Sequence, residues 1–181
     1  MLIAGEAADA DIRRAIWSDG TELVAVVEKI LTRLGFTVQN MDSELKEGEP
    51  KREDLRLTLD CNPGWAAIVE IKGYTKGTRT NDADRIRQYR ESYGIDEGRV
   101  PDLTLWIANP HREMDPSSRP APDGNVRNTA QLIGAVHVLT TDLYLQWALV
   151  EHARKKAEDV VKHLISAEPG LWTPSSPDSA L

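Results

Sequence analysis

Apolar and polar residues alternate most regularly between Leu55 and Lys72, where two runs of period two flank the turn signal Cys61-Asn62-Pro63-Gly64. That pattern predicts a β-hairpin. On the first run Leu55, Leu57 and Leu59 share one face while Asp54, Arg56 and Thr58 share the other. On the second, Ala66, Ile68, Glu70 and Lys72 lie opposite Ala67, Val69 and Ile71. The nearly unbroken apolar run before Glu70 is that of a central strand covered on both sides.

Around this hairpin the chain changes period. Leu23, Val26, Val27, Ile30, Leu31 and Leu34 keep helical spacing, and Gly35 stops the helix. Residues 6–17 predict a short lead-in helix, 36–41 a strand and 42–52 a polar loop. After Gly73 a basic loop, 74–79, leads to a helix over 82–93 with Asn81 as N-cap and Ala83, Ile86, Tyr89 and Tyr93 turned inward. Residues 103–108 predict a strand lying beside the Glu70 strand. Residues 109–128 hold Pro110, Pro116, Pro120 and Pro122 and predict a long loop, either a substrate-contacting lid or a surface insertion. Then come a short helix over 129–135, a buried strand over 136–140 whose His137 reads as a partnered core or edge histidine, a helix capped by Asp142, and a last helix over 157–165. This order gives an α/β fold, a mixed central sheet flanked by helices. One domain is expected over residues 1–167, followed by a Pro/Ser-rich tail over 168–181 tacked down by Trp172.

Composition narrows the function. The length of 181 residues suits one domain. No apolar run approaches the roughly 18 residues of a membrane span, and the start lacks a signal-peptide pattern, so a cytoplasmic protein without a membrane partner is expected. The abrupt start and loose end also fit a domain of a longer protein. A lone Cys61 excludes an internal disulfide framework and a Cys-rich zinc site. None of the four histidines pairs with a neighbouring acid at metal-ligand spacing, and no glycine-rich phosphate loop or G-x-S-x-G is present.

A net charge of −7 argues against nucleic-acid binding by bulk charge. The distribution reverses that: from Ile71 to Arg90 the cations Lys72, Lys76, Arg79, Arg85, Arg87 and Arg90 face only Asp82 and Asp84. An acidic body with one basic stripe suits a docked phosphate backbone.

The stripe begins where the chemistry is concentrated. A carboxylate and an ammonium at the end of a buried strand are costly unless they face a cleft, a metal or each other. Asp54 and Glu70, on adjacent strands, can converge on one hard divalent cation. Magnesium accepts one or two carboxylates while keeping waters and phosphate oxygens. Lys72 is then a point charge beside the attacking water and the scissile phosphate.

Asp54, fifteen intervening residues, then Glu70-Ile71-Lys72, with a helix bearing Glu22 before and a basic helix after, resembles the signature of the PD-(D/E)XK phosphodiesterases, the restriction-endonuclease-like superfamily. The resemblance covers roughly residues 20–150. It departs at Glu53, where the family's name-giving proline would stand. It implies the restriction-endonuclease-like fold and a magnesium-dependent nuclease, with manganese as a substitute, acting on DNA ahead of RNA. Asp54, Glu70 and the Ile71 carbonyl would hold the metal, Lys72 would orient or deprotonate water, and Lys76, Arg79, Arg85 and Arg87 would draw in the backbone. Glu22 has two readings: an acid supporting the metal through water, as in many such nucleases, or half of a capping box with Asp19. Gln88 matches a glutamine that some members carry near the site, or belongs to a solvated face. A homodimer would suit double-strand cutting. The alternative is a module that keeps the fold and the ion cluster without turnover, for nucleic-acid binding or protein assembly.

Overall fold

In the computed structural model, which describes residues 9–45 and 47–174, six strands form one mixed sheet in the order β1-β2-β3-β4-β5-β6. These are β1 (Thr37–Asn40), β2 (Leu55–Thr58), β3 (Ala66–Gly73), β4 (Leu103–Asn109), β5 (Val136–Leu139) and β6 (Gly170–Leu171). The first three pair antiparallel, and β3 to β6 run parallel. Helical residues 9–13 (α1) run into a 3-10 turn, Arg14–Ile16, before α2 (Gly20–Leu34). The remaining helices are α3 (Ala83–Glu97), α4 (Gly124–Leu132), α5 (Thr140–Glu151) and α6 (Ala157–Ile165). Among the described residues no helix is long and apolar enough to cross a membrane.

The strand periodicity decides which side each helix covers. Leu55, Leu57, Ala67, Val69, Ile71, Leu105, Ile107, Val136 and Val138 form one face, buried with the apolar stripes of α2, α5 and α6. On the other face Ala66 and Ile68 meet Tyr89 and Tyr93 of α3, and Trp106 meets Ile86, Val126 and Ala130 of α3 and α4. At about 25 cal/mol per Å², the nearly complete burial of these side chains is the main favourable term in folding. Glu70 and Lys72 lie on the face of α3, at the carboxyl ends of the parallel strands, where open α/β sheets hold their ligands.

Several expectations are corrected. The helix expected over 129–135 begins at Gly124, inside the stretch expected to be loop, because Asp123 caps it by accepting the Asn125 amide at 2.7 Å. The helix expected to stop at Tyr93 continues to Glu97 and ends on Gly98 in the left-handed region, while Asn81 lies in a 3-10 turn, Thr80–Asp82, and not at the N-cap. Asp142 sits in the first turn of α5 and does not cap it. The capping box is absent too: Asp19 makes no side-chain cap bond and its carboxylate pairs with Arg112 at 3.0 Å. Residues 170–172, expected in a tail, belong to the domain; β6 pairs with β5, and Trp172 is buried with its indole N–H donating to His163 Nδ1. Residues 6–8 of the lead-in helix and 175–181 of the tail lie outside the described residues. His137 is fully buried, but neither ring nitrogen has a partner; it stands edge-on to Trp106, and burial pushes its pKa down to about 4.

The long proline-rich connection is strapped to the body. Arg119 donates from Nη1 to Asn109 Oδ1 (2.8 Å) and from Nη2 to the Ile16 carbonyl (2.6 Å), so it is a structural clamp and not a free substrate contact. Asn109 itself is buried and donates to the Ser18 carbonyl at 2.9 Å. The start of α2 therefore lies hard against the end of β3. A Cβ at Gly73 would overlap the Asp19 side chain and come within 2.9 Å of its Cα and 3.1 Å of the Ser18 carbonyl. Gly73→Ala is accordingly expected to destabilise the fold by about 1–3 kcal/mol, the cost of overpacking, read as a lower midpoint in urea unfolding.

Candidate active site

Asp54 immediately precedes β2 and stands opposite the carboxyl end of β3. Its amide donates to the Val69 carbonyl at 3.0 Å. Pairing with β2 ends there, and the Ile71 N–H donates to Asp54 Oδ2 at 2.7 Å instead. The side chain is thereby held against Glu70. Both acids are buried, Asp54 at 2% and Glu70 at 3% exposure, on a face that water barely reaches.

Two ammonium groups answer them. Lys72 Nζ sits 2.6 Å from Glu70 Oε1, and Lys51 Nζ sits 3.7 Å from Asp54 Oδ1. Lys72 is about a quarter exposed and Lys51 about half, so both reach toward solvent while the acids lie beneath. Compensation is incomplete. Glu70 Oε2 has no hydrogen-bond partner, and Oε1 has the ion pair without a well-aligned hydrogen bond. A buried, unsatisfied carboxylate oxygen is expensive.

The titration follows from this. Burial first, then the Asp54 charge, push the Glu70 carboxyl up to about 7 against the pull of Lys72 and Lys51. Burial likewise raises Asp54, opposed by Lys72 and by the Ile71 amide. For Lys72 burial works against the charged form, but Glu70 and Asp54 outweigh it and the ammonium is held above its ordinary range. Tyr89 of α3 also faces the cluster: burial, then Glu70, keep its phenol protonated well above the usual value.

The sequence candidates divide accordingly. Asp54, Glu70, the Ile71 backbone and Lys72 come together. Arg85 borders them, since its charge acts on both Lys72 and Tyr89. Lys76, Arg79, Arg87 and Gln88 are exposed; Arg87 lies 3.5 Å from Asp84, and Gln88 points outward between the inward-facing Ile86 and Tyr89. Glu22 is half exposed and bound to Arg14 at 2.8 Å, and its charge is not among those acting on either acid. Arg90, part of the expected stripe, donates to the Ile133 carbonyl behind α4. Lys51 carries no periodic signal in its loop, and the helical spacing of Tyr89 marks it as core without revealing its place beside the acids.

Among the described residues no group of three or more His, Cys, Asp or Glu side chains is placed to hold a metal. The cluster offers two carboxylates, one with an orphaned oxygen, and that donor set fits magnesium, which keeps several waters, better than an ion needing a full protein cage.

No protein-family model matches the chain, and no curated protein sequence matches it. Solved structures do. The chain is similar to the restriction endonuclease FokI, with a TM-score of 0.54 at 14% identity, over 78% of this chain and 27% of that one. It is also similar to FokI bound to DNA, with a TM-score of 0.53 at 13% identity, over 87% of this chain and 32% of that one. The chain thus spans about a third or less of FokI's length. At such identity the likeness shows the fold: a restriction-endonuclease-like mixed sheet between helices.

A carboxyl that holds its proton more tightly when folded stabilises the fold below its unfolded pKa, ordinarily 4.5, and withdraws that stability as pH climbs through about 7. Asp54, also raised, adds with the same sign. In metal-free protein the melting temperature should fall between pH 5 and 8, less steeply in Glu70→Gln, which should melt higher than wild type at pH 8. A wild-type curve flat across that window would remove the raised titration of Glu70.

Proposed function

We propose that the chain is a magnesium-dependent nuclease of the PD-(D/E)XK type, cytoplasmic, hydrolysing phosphodiester bonds in DNA ahead of RNA. The observation that carries the reading is the meeting of Asp54, Glu70 and Lys72, brought together at the carboxyl end of β3. Two buried acids, both raised by burial and Glu70 also by the Asp54 charge, are a costly arrangement for structure alone, and perturbed groups of this kind gather at functional sites. FokI, whose matching structures include one bound to DNA, supports DNA as the polymer.

Asp54, Glu70 and the Ile71 carbonyl would hold the ion. Once bound, it would lower the pKa of a water and neutralise charge developing on the phosphate. Lys72, anchored at Glu70 and about a quarter exposed, orients the attacking water and faces the anionic phosphate. Lys51 supplies a second positive charge on the Asp54 side. Tyr89, kept protonated, offers an O–H donor from α3. Arg85, Arg79 and Lys76, exposed along the rim, attract the backbone through charge and release of its counterions.

The second reading, a module without turnover, draws on one observation: Lys72 already neutralises Glu70 at 2.6 Å, so the cluster can persist as an internal ion pair. The two part in one assay. Plasmid, linear duplex and single-stranded DNA and RNA are incubated with magnesium or manganese. Cleavage is expected with either metal, and Lys72→Ala, Glu70→Gln and Asp54→Asn should each lower it by about 10²-fold or more, the scale of losing one transition-state contact. Glu22→Gln is expected to change it by less than tenfold. Cleavage that survives the first three substitutions would sink the site, and no cleavage together with no metal-induced thermal shift would establish the module.

A further inference from the structure

Beyond the carboxyl ends of β3 and β4 the two segments stay together. The Tyr74 amide donates to the Asn109 carbonyl (2.9 Å), the Arg112 amide to the Tyr74 carbonyl (3.0 Å) and the His111 amide to the Lys76 carbonyl (2.9 Å). This spur leads from Lys72 to a pair of adjoining cavities of about 290 and 340 Å³, which share Thr78, Asp123 and Val126 as walls. Thr78 follows Lys72 by six positions, a reach of at most about 22 Å.

The two cavities differ in chemistry. The first is a mainly apolar slot between Pro110, Pro120, Ala121, Pro122 and the ring of His111. The second is polar and more open, with Arg79, Thr80, Asn81 and Asn125. Between them Thr78 has a buried hydroxyl with no hydrogen-bond partner. Asp123 is engaged, its carboxylate accepting the Asn125 amide. An apolar slot with an imidazole wall suits the two faces of a nucleobase, which proteins stack on histidine and on proline wedges. The amides and hydroxyls beside it suit the base edge, and Arg79 suits the attached phosphate. A base stacked inside a duplex cannot offer its faces to such a slot.

Resting on the nuclease reading, we propose that these cavities receive an unpaired base of the substrate nucleic acid a few nucleotides from the scissile phosphate. The preferred substrate then carries a single-stranded segment there, as an overhang, a gap or a flap. Arg79, which lines the second cavity, and Lys76, exposed and backbone-bonded to His111, favour this occupant over a proline-rich peptide.

The test uses the full chain and DNA carrying the fluorescent base 2-aminopurine in an overhang, in a gap or in fully paired duplex, with and without magnesium. His111 has φ +51, so His111→Gly removes the ring while relaxing the backbone, and Ala121→Trp fills the slot from an exposed position. With wild type, the overhang and gap probes should bind more tightly than paired duplex and change fluorescence on binding. Each variant should lower overhang and gap binding about 5- to 100-fold more than duplex binding, the range expected for losing one base stack. Equal losses on all probes, or none, would overturn the slot even if cleavage is robust, as would displacement of a proline-rich peptide with no response to DNA. Selective binding without cleavage would leave the slot standing and remove only the nuclease.

Discussion

Everything at the candidate site follows from the burial of two carboxylates side by side where β2 parts from β3. Asp54 is fixed there because the Ile71 amide needs an acceptor and the strand no longer offers a carbonyl. Its neighbour Glu70 cannot turn to water, because α3 covers that face of the sheet. The repulsion between them is met by ammonium groups from two directions, one from the strand itself and one from the loop before β2. The balance leaves one carboxylate oxygen unanswered and raises the pKa of both acids. On the proposed reading a bound cation would relieve that imbalance, and affinity for metal and cost to the empty fold would have the same origin.

The surroundings hold this geometry from both sides. Under α3, Glu53 is buried and accepts from Arg56 Nε at 2.5 Å, and Arg56 reaches on to Glu97 at 2.9 Å while lying 4.9 Å from the centre of the Tyr93 ring. Glu53 thus ties the segment bearing Asp54 to the end of the helix bearing Tyr89. At the other side Asn109, at the end of β4, binds the Ser18 carbonyl, Arg119 and Thr140. That hub joins the start of α2, the proline-rich connection and α5 beside the strand ends. Fully satisfied buried networks of this kind hold one arrangement against its alternatives.

Sequence periodicity carried most of the fold. Leu55, Leu57 and Leu59 against Asp54 and Arg56, and Ala67, Val69 and Ile71 against Glu70 and Lys72, assign each residue to the face it occupies, because a period of two leaves no other choice. Short elements escaped for a matching reason. Two residues of β6 are too few to show a period, and the nine of α4 start amid prolines with a cap, Asp123, indistinguishable in sequence from a turn aspartate. At the site, the Asp54, Glu70 and Lys72 spacing was legible because hairpin partners have a computable register. Lys51, in an irregular loop, and Glu22, on a helix whose angle to the sheet no local pattern states, were not.

The sequence alone therefore determined the alternation of faces, the hairpin and the pairing of Asp54 with Glu70 across it, since all of these depend on neighbours a few positions apart. Tertiary structure decided which other residues meet. The rotation of α2 took Glu22 to Arg14, and the seating of α3 on the sheet brought Tyr89 beside the two acids. It also decided how strongly the two acids repel, because that depends on the water removed by elements distant in the chain, and no local pattern records it.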